Sequence, residues 1–283
     1  MLGHTLDYRL LRPLAHGANR ASEHDLDAAF REAPAGSVEA ALPKLEKILA
    51  RFEGALELRP GLRYLDMGCG TGELTLALAR LGAGEVTGVD ILPRNVARAR
   101  ALAAKLGAGD AVRFACEDLH AWAPERRFDV LLSFDAFEHI ADPRAMLERM
   151  AALVVPGGLA AHSFGPLFHS PFGDHMWDFF RVQIPWRGLL FSEEAVLRLR
   201  REFFRPTDPA RCYREIAGGL NQMRYSQFLR YARETGWRFD SLACNSFLPR
   251  GSAARRVSDA VTAIPGVQDY AVHCVYATLR RQN

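Results

Sequence analysis

From Leu62 onward the chain alternates short apolar runs with longer segments whose apolar residues recur every three or four positions. LRYLDM (62–67), EVTGVD (85–90), VRFA (112–115), FDVLLSF (128–134) and LAAHSF (159–164) are short runs bounded by glycine, proline or charge. Such runs predict strands buried in a sheet. Between them, GELTLALARLG closes at Gly82, PRNVARARALAAKLG carries Pro93 in its first turn, and PRAMLERMAALV ends at Pro156-Gly157-Gly158. These three patterns predict helices. Alternation with short connections predicts an α/β fold, a mostly parallel sheet with helices on both faces. YSQFLRYARETG reads as a further helix. WRFDSLACN and DYAVHCVYATLRR read as two late strands, the last one antiparallel, separated by AARRVSDAVTAIPG as a helix or long turn.

Two regions break this rhythm. Residues 1–60 read as an N-terminal helical cap, in which SVEAALPKLEKILARF is the clearest helix; Pro43 sits in its first turn or kinks it. After the fifth strand the pattern is irregular to about Met223. HSFGPLFHSPFGDHMWDFF (162–180) is too broken for a plain helix and too aromatic for a plain loop. About 165–222 is expected to be an aromatic-rich insertion packed on the sheet, within a main domain of 61–283.

The chain has 283 residues, 49% of them hydrophobic, which is enough for one large domain with additions. Of 36 basic residues only Lys44, Lys47 and Lys105 are lysines, and 33 acids nearly balance the total. The arginines are spread along the chain, so no nucleic-acid footprint is expected. The five cysteines at 69, 116, 212, 244 and 274 form no CxxC pair and are odd in number, which argues against a disulfide framework or zinc site and for a reducing cytoplasm. MLGHTLDYRLLRP lacks a continuous apolar stretch and no apolar run approaches a membrane span. The expectation is a cytoplasmic protein with no membrane partner, a monomer or homodimer.

YLDMGCGTGELTLALA carries the strongest chemical signal. Gly68, Gly70 and Gly72 lie between a strand and a helix N-terminus, where they permit a tight turn, a close backbone approach and unpaired N–H groups for a nucleotide-like ligand. Asp90 ends the second strand, about 20 residues on, where a carboxylate can take both hydroxyls of a ribose. A dinucleotide would need its pyrophosphate over this loop. Asp66, two residues before the first glycine, repels a pyrophosphate and suits an ammonium, and the spacing is G-x-G-x-G. Both facts favour S-adenosylmethionine (SAM) over a nicotinamide dinucleotide. Glu117-Asp118-Leu119 and Ser133-Phe134-Asp135 follow the third and fourth strands, at the same rim of the sheet.

With LDMGCGTG, VTGVD, CEDL, FDVLLSFDAFEHIADP and VVPGG, residues 60–164 resemble the class I SAM-dependent methyltransferases of the small-molecule, Methyltransferase-11-like type. The resemblance implies a Rossmann-like doubly wound sheet. It implies that Asp66, Gly68, Cys69, Gly70 and Gly72 surround the methionine moiety, and that Asp90 and Ile91 meet the ribose. It further implies that Asp118 and Leu119 meet the adenine and that the carbonyl near Phe134 meets the ammonium. Glu138-His139 resembles the Glu-His pair after the fourth strand in quinone-biosynthesis O-methyltransferases, where a metal role is possible; no metal is assigned here. No NPPY-like tetrapeptide follows the fourth strand, which argues against methylation of nucleic-acid bases or glutamine.

The expected function is methyl transfer to a small organic acceptor, on oxygen before nitrogen or carbon. Histidine is the natural base near neutral pH. His139 and His175 lead the candidates, followed by His169 and His162, with Asp135 as a partner. Each has a bland alternative, a histidine satisfied by backbone or a helix-capping pair. The aromatic segment would cover the sulfonium end of SAM, with Arg181, Trp186 and Arg187 holding an anionic group; its alternative, for Trp177, Phe179 and Phe180, is plain core packing. Attack at the aminocarboxypropyl carbon of SAM, or a non-catalytic SAM-binding subunit, would leave the same cofactor signature.

Overall fold

The computed structural model describes residues 2–15, 37–176, 179–203, 205–206, 208–216 and 219–282. Trp177 lies outside them. In chain order the elements are α1 (Leu2–Leu11), α2 (Val38–Arg51), β1 (Arg63–Met67), α3 (Glu73–Arg80), β2 (Glu85–Asp90), α4 (Pro93–Leu106), β3 (Val112–Cys116) and β4 (Phe128–Phe134). There follow α5 (Pro143–Leu153), β5 (Val154–Phe164), α6 (Arg187–Leu190), α7 (Glu193–Phe203), α8 (Tyr225–Glu234), β6 (Trp237–Cys244), α9 (Ala253–Thr262), α10 (Gln268–Ala271) and β7 (Val275–Arg281).

The seven strands form one sheet in the order β3-β2-β1-β4-β5-β7-β6. β1 to β5 pair in parallel, and β7 runs antiparallel to both β5 and β6, which is the expected α/β sheet with one reversed strand. Each face carries its own core. On one face α2 lays Val38, Ala41, Leu45 and Ile48 against Tyr64, Leu132 and Phe134, with Leu76 of α3 and Val96 of α4 beside them. On the other, Met146, Leu147 and Met150 of α5 and Phe228 of α8 pack on Leu65, Leu131 and Ala277. Caps set the helix starts: Ser37 accepts from Ala40 N at 3.1 Å and Asp142 from Ala145 N at 2.9 Å.

Several local expectations change. Pro43 lies inside α2, in its second turn. α5 stops at Leu153, and β5 begins at once, with Pro156-Gly157-Gly158 as a bulge between the Phe128–Val154 and Val130–Leu159 pairings. A bulge absorbs an extra stretch of one strand without ending the ladder, so the glycines do not mark a helix end. Residues 268–271 are helical, and β7 starts only at Val275. The insertion is also less irregular than its glycines and prolines suggest. It contains α7, and with α1 it builds a third core of Leu11, Phe168, Met176, Phe180, Val196 and Tyr213. No helix among the described residues is long and apolar enough to cross a membrane.

Candidate active site

The sheet order reverses at β1/β4, where ligands of open α/β sheets sit beyond the carboxyl ends of the strands. A cleft of about 240 Å3 opens there. Gly68, Asp90, Ile91, Asp118, Leu119 and His139 line it, with Met67, Ile140 and Met146. A larger groove of about 450 Å3 lies at the opposite, amino end. Its charges are mutually occupied: Asp129 pairs with Arg63, Glu57 with Arg59 and Arg280 with Asp240. The smaller cleft, at the carboxyl ends of the strands, is therefore the candidate site.

The glycine turn is built by the backbone. Gly68 N and Cys69 N both donate to Val89 O, at 2.9 and 3.0 Å, which folds β1 back over β2. Gly72, at the N-cap of α3, has φ +87°, and a Cβ there would lie 2.7 Å from Ala99 Cβ and 2.8 Å from the Phe114 ring. Only glycine satisfies both the conformation and the space. Cys69 is buried, and a Cβ added at Gly88 would lie 2.9 Å from its Cβ, so position 88 needs glycine.

Asp66 ends β1, is 4% exposed, and accepts a 2.6 Å bond from Thr75 Oγ1. Burial pushes its carboxyl up to about 6, the Thr75 bond opposing and the Asp90 charge adding to the shift. Asp90 is held open like a bracket: Oδ2 accepts from Gly70 N at 3.0 Å, Oδ1 from Leu92 N at 2.8 Å and Asn95 Nδ2 at 3.2 Å. Asp118 is exposed at the rim, its Oδ1 accepting from His120 N. Leu119 is half-buried against the core, Ile91 is exposed, and Phe134 is buried against Phe52. Thr75 and Asn95 were not singled out from sequence. Their signal was a polar residue on the buried face of a first helical turn.

The donor set discriminates between cofactors. Among the described residues the cleft is lined by the carboxylates Asp90, Glu117 and Asp118, with no lysine or arginine, so a pyrophosphate would be repelled. A ribose suits Asp90, an ammonium suits the buried Asp66, and the apolar walls of Ile91, Leu119, Ile140 and Met146 suit a flat base. The residues present fit S-adenosyl-L-methionine.

The histidine candidates separate. His139 is exposed in the cleft wall, and its Nδ1 lies 2.6 Å from Gly219 O. His175 comes edge-on to it, with ring centroids 5.7 Å apart, and its Nε2 donates to Pro166 O at 2.9 Å. Burial pulls the His175 imidazole below its ordinary value, with His139 adding to the shift. His169 is elsewhere, stacked on Tyr270 and 3.4 Å from Arg224 Nε, also pulled down by burial. His162 is fully buried between Phe137 and Phe228, and burial lowers it to about 3. As a residue of β5 pointing into the core, it is not placed to meet an acceptor. Asp135 is exposed in left-handed backbone (φ 50°), in the field of Lys44, Arg51 and His139.

Glu138 neither caps a helix nor turns to His139. It is 5% exposed, its Oε1 accepts from Gly165 N at 3.1 Å, and burial holds its carboxyl well above the usual range. Among the described residues no group of three His, Cys, Asp or Glu side chains is arranged to hold a metal ion. Arg187 is not an anchor for an acceptor anion: it is 2% exposed and doubly bonded to Asp174, at 2.7 and 3.0 Å, with its guanidinium 3.8 Å from the centroid of the Phe180 ring. The indole N–H of Trp186 is taken by Tyr270 O, and Arg181 is exposed. Nor are the aromatics a continuous wall. Phe164 belongs to the main core, Phe168 and Phe180 to the insertion's core with Phe179 packed against it, and Phe172 faces His273.

Residues 65–158 match a family model described as a methyltransferase domain. A ubiquinone biosynthesis O-methyltransferase of Cereibacter sphaeroides (strain ATCC 17025 / ATH 2.4.3) is 44% identical over 118 residues, 40% of this chain and 47% of that protein. The mitochondrial ubiquinone biosynthesis O-methyltransferase of Arabidopsis thaliana is 39% identical over 99 residues, 35% of this chain and 30% of that protein. The chain thus spans less than half the length of these curated relatives. Among solved structures, phosphoethanolamine N-methyltransferase 2 of Haemonchus contortus, in complex with S-adenosyl-L-methionine, superposes with a TM-score of 0.54 at 17% identity, over 84% of this chain and 53% of that one. Geranyl diphosphate C-methyltransferase of Streptomyces coelicolor A3(2) gives 0.53 at 12% identity, over 84% and 78%. These two likenesses show the fold. The strand order brings this glycine turn to the central strand, so residues 65–158 carry a methyltransferase domain on a sheet of the class I SAM-dependent methyltransferase kind.

Proposed function

We propose that the chain transfers a methyl group to an oxygen of a small organic acceptor, with His139 as the base. Bound SAM supplies a methyl group already activated by a sulfonium charge. The relatives named above are O-methyltransferases of ubiquinone biosynthesis, which favours oxygen as the acceptor atom. The observation that carries the reading is the continuity of one cleft from Asp90 and Asp118 to His139.

In this reading Asp90 takes the ribose hydroxyls, with Ile91 alongside. Asp118 and Leu119 take the base. Asp66, Gly68, Cys69, Gly70 and Gly72 form the turn around the amino-acid end, with the Phe134 carbonyl facing the ammonium. The Gly219 carbonyl requires a proton on His139 Nδ1, which leaves Nε2 as the lone-pair acceptor for a hydroxyl proton. His175, kept neutral by burial, packs against that ring and limits its rotation. Holding the nucleophile in line and away from water accounts for roughly 7–11 kcal/mol in favourable cases.

The test has two parts. Calorimetric titration with S-adenosylhomocysteine and, in parallel, NAD should give binding of the first and none of the second. Incubation with SAM and phenolic acceptors should then release S-adenosylhomocysteine. Binding of NAD alone would sink the cofactor reading, and release of methylthioadenosine would move the chemistry to the aminocarboxypropyl carbon.

A further inference from the structure

The cofactor cleft holds no cation, but a second polar group stands at the same end of the sheet, on the face covered by α2. Arg51, the last residue of α2, is half-buried, and its Nη1 donates to Tyr276 Oη at 2.7 Å. That is the one hydrogen bond of its guanidinium among the described residues, where it also has no ion pair. Tyr276 is 5% exposed and held edge-on by Phe52, with ring centroids 5.7 Å apart. Its oxygen accepts from Arg51, so its own proton is left to donate, and it meets no acceptor among the described residues. Tyr276 pairs with Ser163 across β7 and β5. Directly paired residues share a face of the sheet. Ser163 is 1% exposed, and its hydroxyl has no partner. Buried polar groups in folded proteins are almost always paired, so an unspent set of this kind points to a ligand.

The chemistry of the set selects that ligand. A guanidinium with free N–H groups beside a phenol O–H offers donors to a planar anion. The nearest carboxylate is Asp135, whose N–H donates to Ser163 O at 2.8 Å. It lies in the field of Arg51, Lys44 and His139 but closes no ion pair with Arg51. Against that one negative charge, Lys44 and Arg51 leave the group net positive by one. Asp135 also joins the two halves of the picture. It follows β4, with Phe134 before it in the core under α2 and Phe137 after it in the opposite core, one turn from His139. We propose that Arg51, Tyr276 and Ser163 form an acceptor subsite for a carboxylate, so that the acceptor is a phenolic acid lying across the end of β4. Its hydroxyl meets His139 and its acid group meets Arg51. The inference rests on the reading of His139 as the base of an O-methyl transfer.

The experiment is a calorimetric titration of the full chain, saturated with S-adenosylhomocysteine. The probes are 4-hydroxybenzoate, 4-hydroxyphenylacetate and 3-(4-hydroxyphenyl)propionate, each compared with its primary amide, which keeps the shape and loses the charge. For at least one length the acid should bind about tenfold or more tightly than the amide. Arg51→Gln should bring that ratio close to one, and Tyr276→Phe should lower it part of the way. Lys47→Gln, exposed on the same helix and outside the group, should leave it unchanged. Equal affinity of acid and amide at every length, binding of neither, or a ratio that survives Arg51→Gln overturns the subsite. So does a loss of S-adenosylhomocysteine affinity in Arg51→Gln with melting unchanged, which would give the guanidinium to the cofactor's own carboxylate. If Arg51→Gln melts early, Tyr276→Phe reads the same ratio with the ring still packed. Turnover with SAM separates the two readings. A bound acid that is not methylated sinks O-methylation at His139 and leaves the subsite; equal methylation of acid and amide does the reverse.

Discussion

The carboxyl ends of β1 to β3 and those of β4 and β5 solve different problems with different materials. At β1 to β3 the groups are carboxylates and backbone amides close in sequence, fixed by one turn: Asp66, the glycines and Asp90 fall within 25 residues. At β4 and β5 the groups are imidazoles and a buried glutamate held by distant chain. Gly219 orients His139, Pro166 orients His175, and Glu138 ties to Gly165. The first half can form as soon as two strands and a helix pack. The second exists only after the insertion, with its own core, has docked. A site divided this way should respond to substitution as two nearly independent halves.

The largest expected effect tests that independence. His139→Ala should lower turnover by about 10²–10⁴-fold while S-adenosylhomocysteine affinity stays within a factor of two or so. Equal losses in both would show that the halves are one unit. Next, Asp174→Ala strips the partner from Arg187, a guanidinium only 2% exposed, and should cost about 3–5 kcal/mol in urea unfolding. If the insertion folds apart from the sheet, the loss appears as an earlier transition of the insertion, with cofactor binding kept at low denaturant.

In the cofactor half, pH is the sharper tool. The Asp66 carboxyl is raised from 3.8 to about 6 in the folded protein, so the folded state holds the proton more tightly than the unfolded chain. Its contribution to stability is fully present below pH 4 and is lost as pH rises through about 6, a change of about 3 kcal/mol. Melting between pH 5 and 7.5 should show this slope on top of the like-signed one from the buried Glu138, whose carboxyl is also raised, and Asp66→Asn should remove the Asp66 share. An ammonium brought beside Asp66 would lower its pKa again, so S-adenosylhomocysteine binding near pH 6 should release a proton and tighten as pH rises. Buffers of different ionisation enthalpy would reveal the release; an unchanged heat would take the ammonium away from Asp66. Smallest is His162→Leu. Both ring nitrogens of His162 lack partners in the core. Removing them should be neutral or stabilising by about 1 kcal/mol, with turnover unchanged.

Asp66, the three glycines and Asp90 were legible because the chemistry sits at positions fixed by local rules. A strand end, a turn that needs positive φ and a helix start are written in consecutive residues, and a parallel sheet must bring strand ends to one rim. The alternation of apolar runs likewise determined the parallel part of the sheet. The histidines were legible only as a list. Whether His162 points into a core and His139 into a cleft depends on which side of β5 and which turn after β4 each occupies, and on Gly219, which lies 80 residues from His139. Arg187 looked like an anion anchor until Asp174 was found opposite it, because an ion pair 13 residues long through a broken segment has no periodicity. The same holds for α9. AARRVSDAVTAIPG reads in sequence only as a helix or a long turn, which does not say which face meets the core. That is decided by the groups that hold the helix, here Glu53 on Arg255 and Asn245 on Ser258, and they come from other parts of the chain.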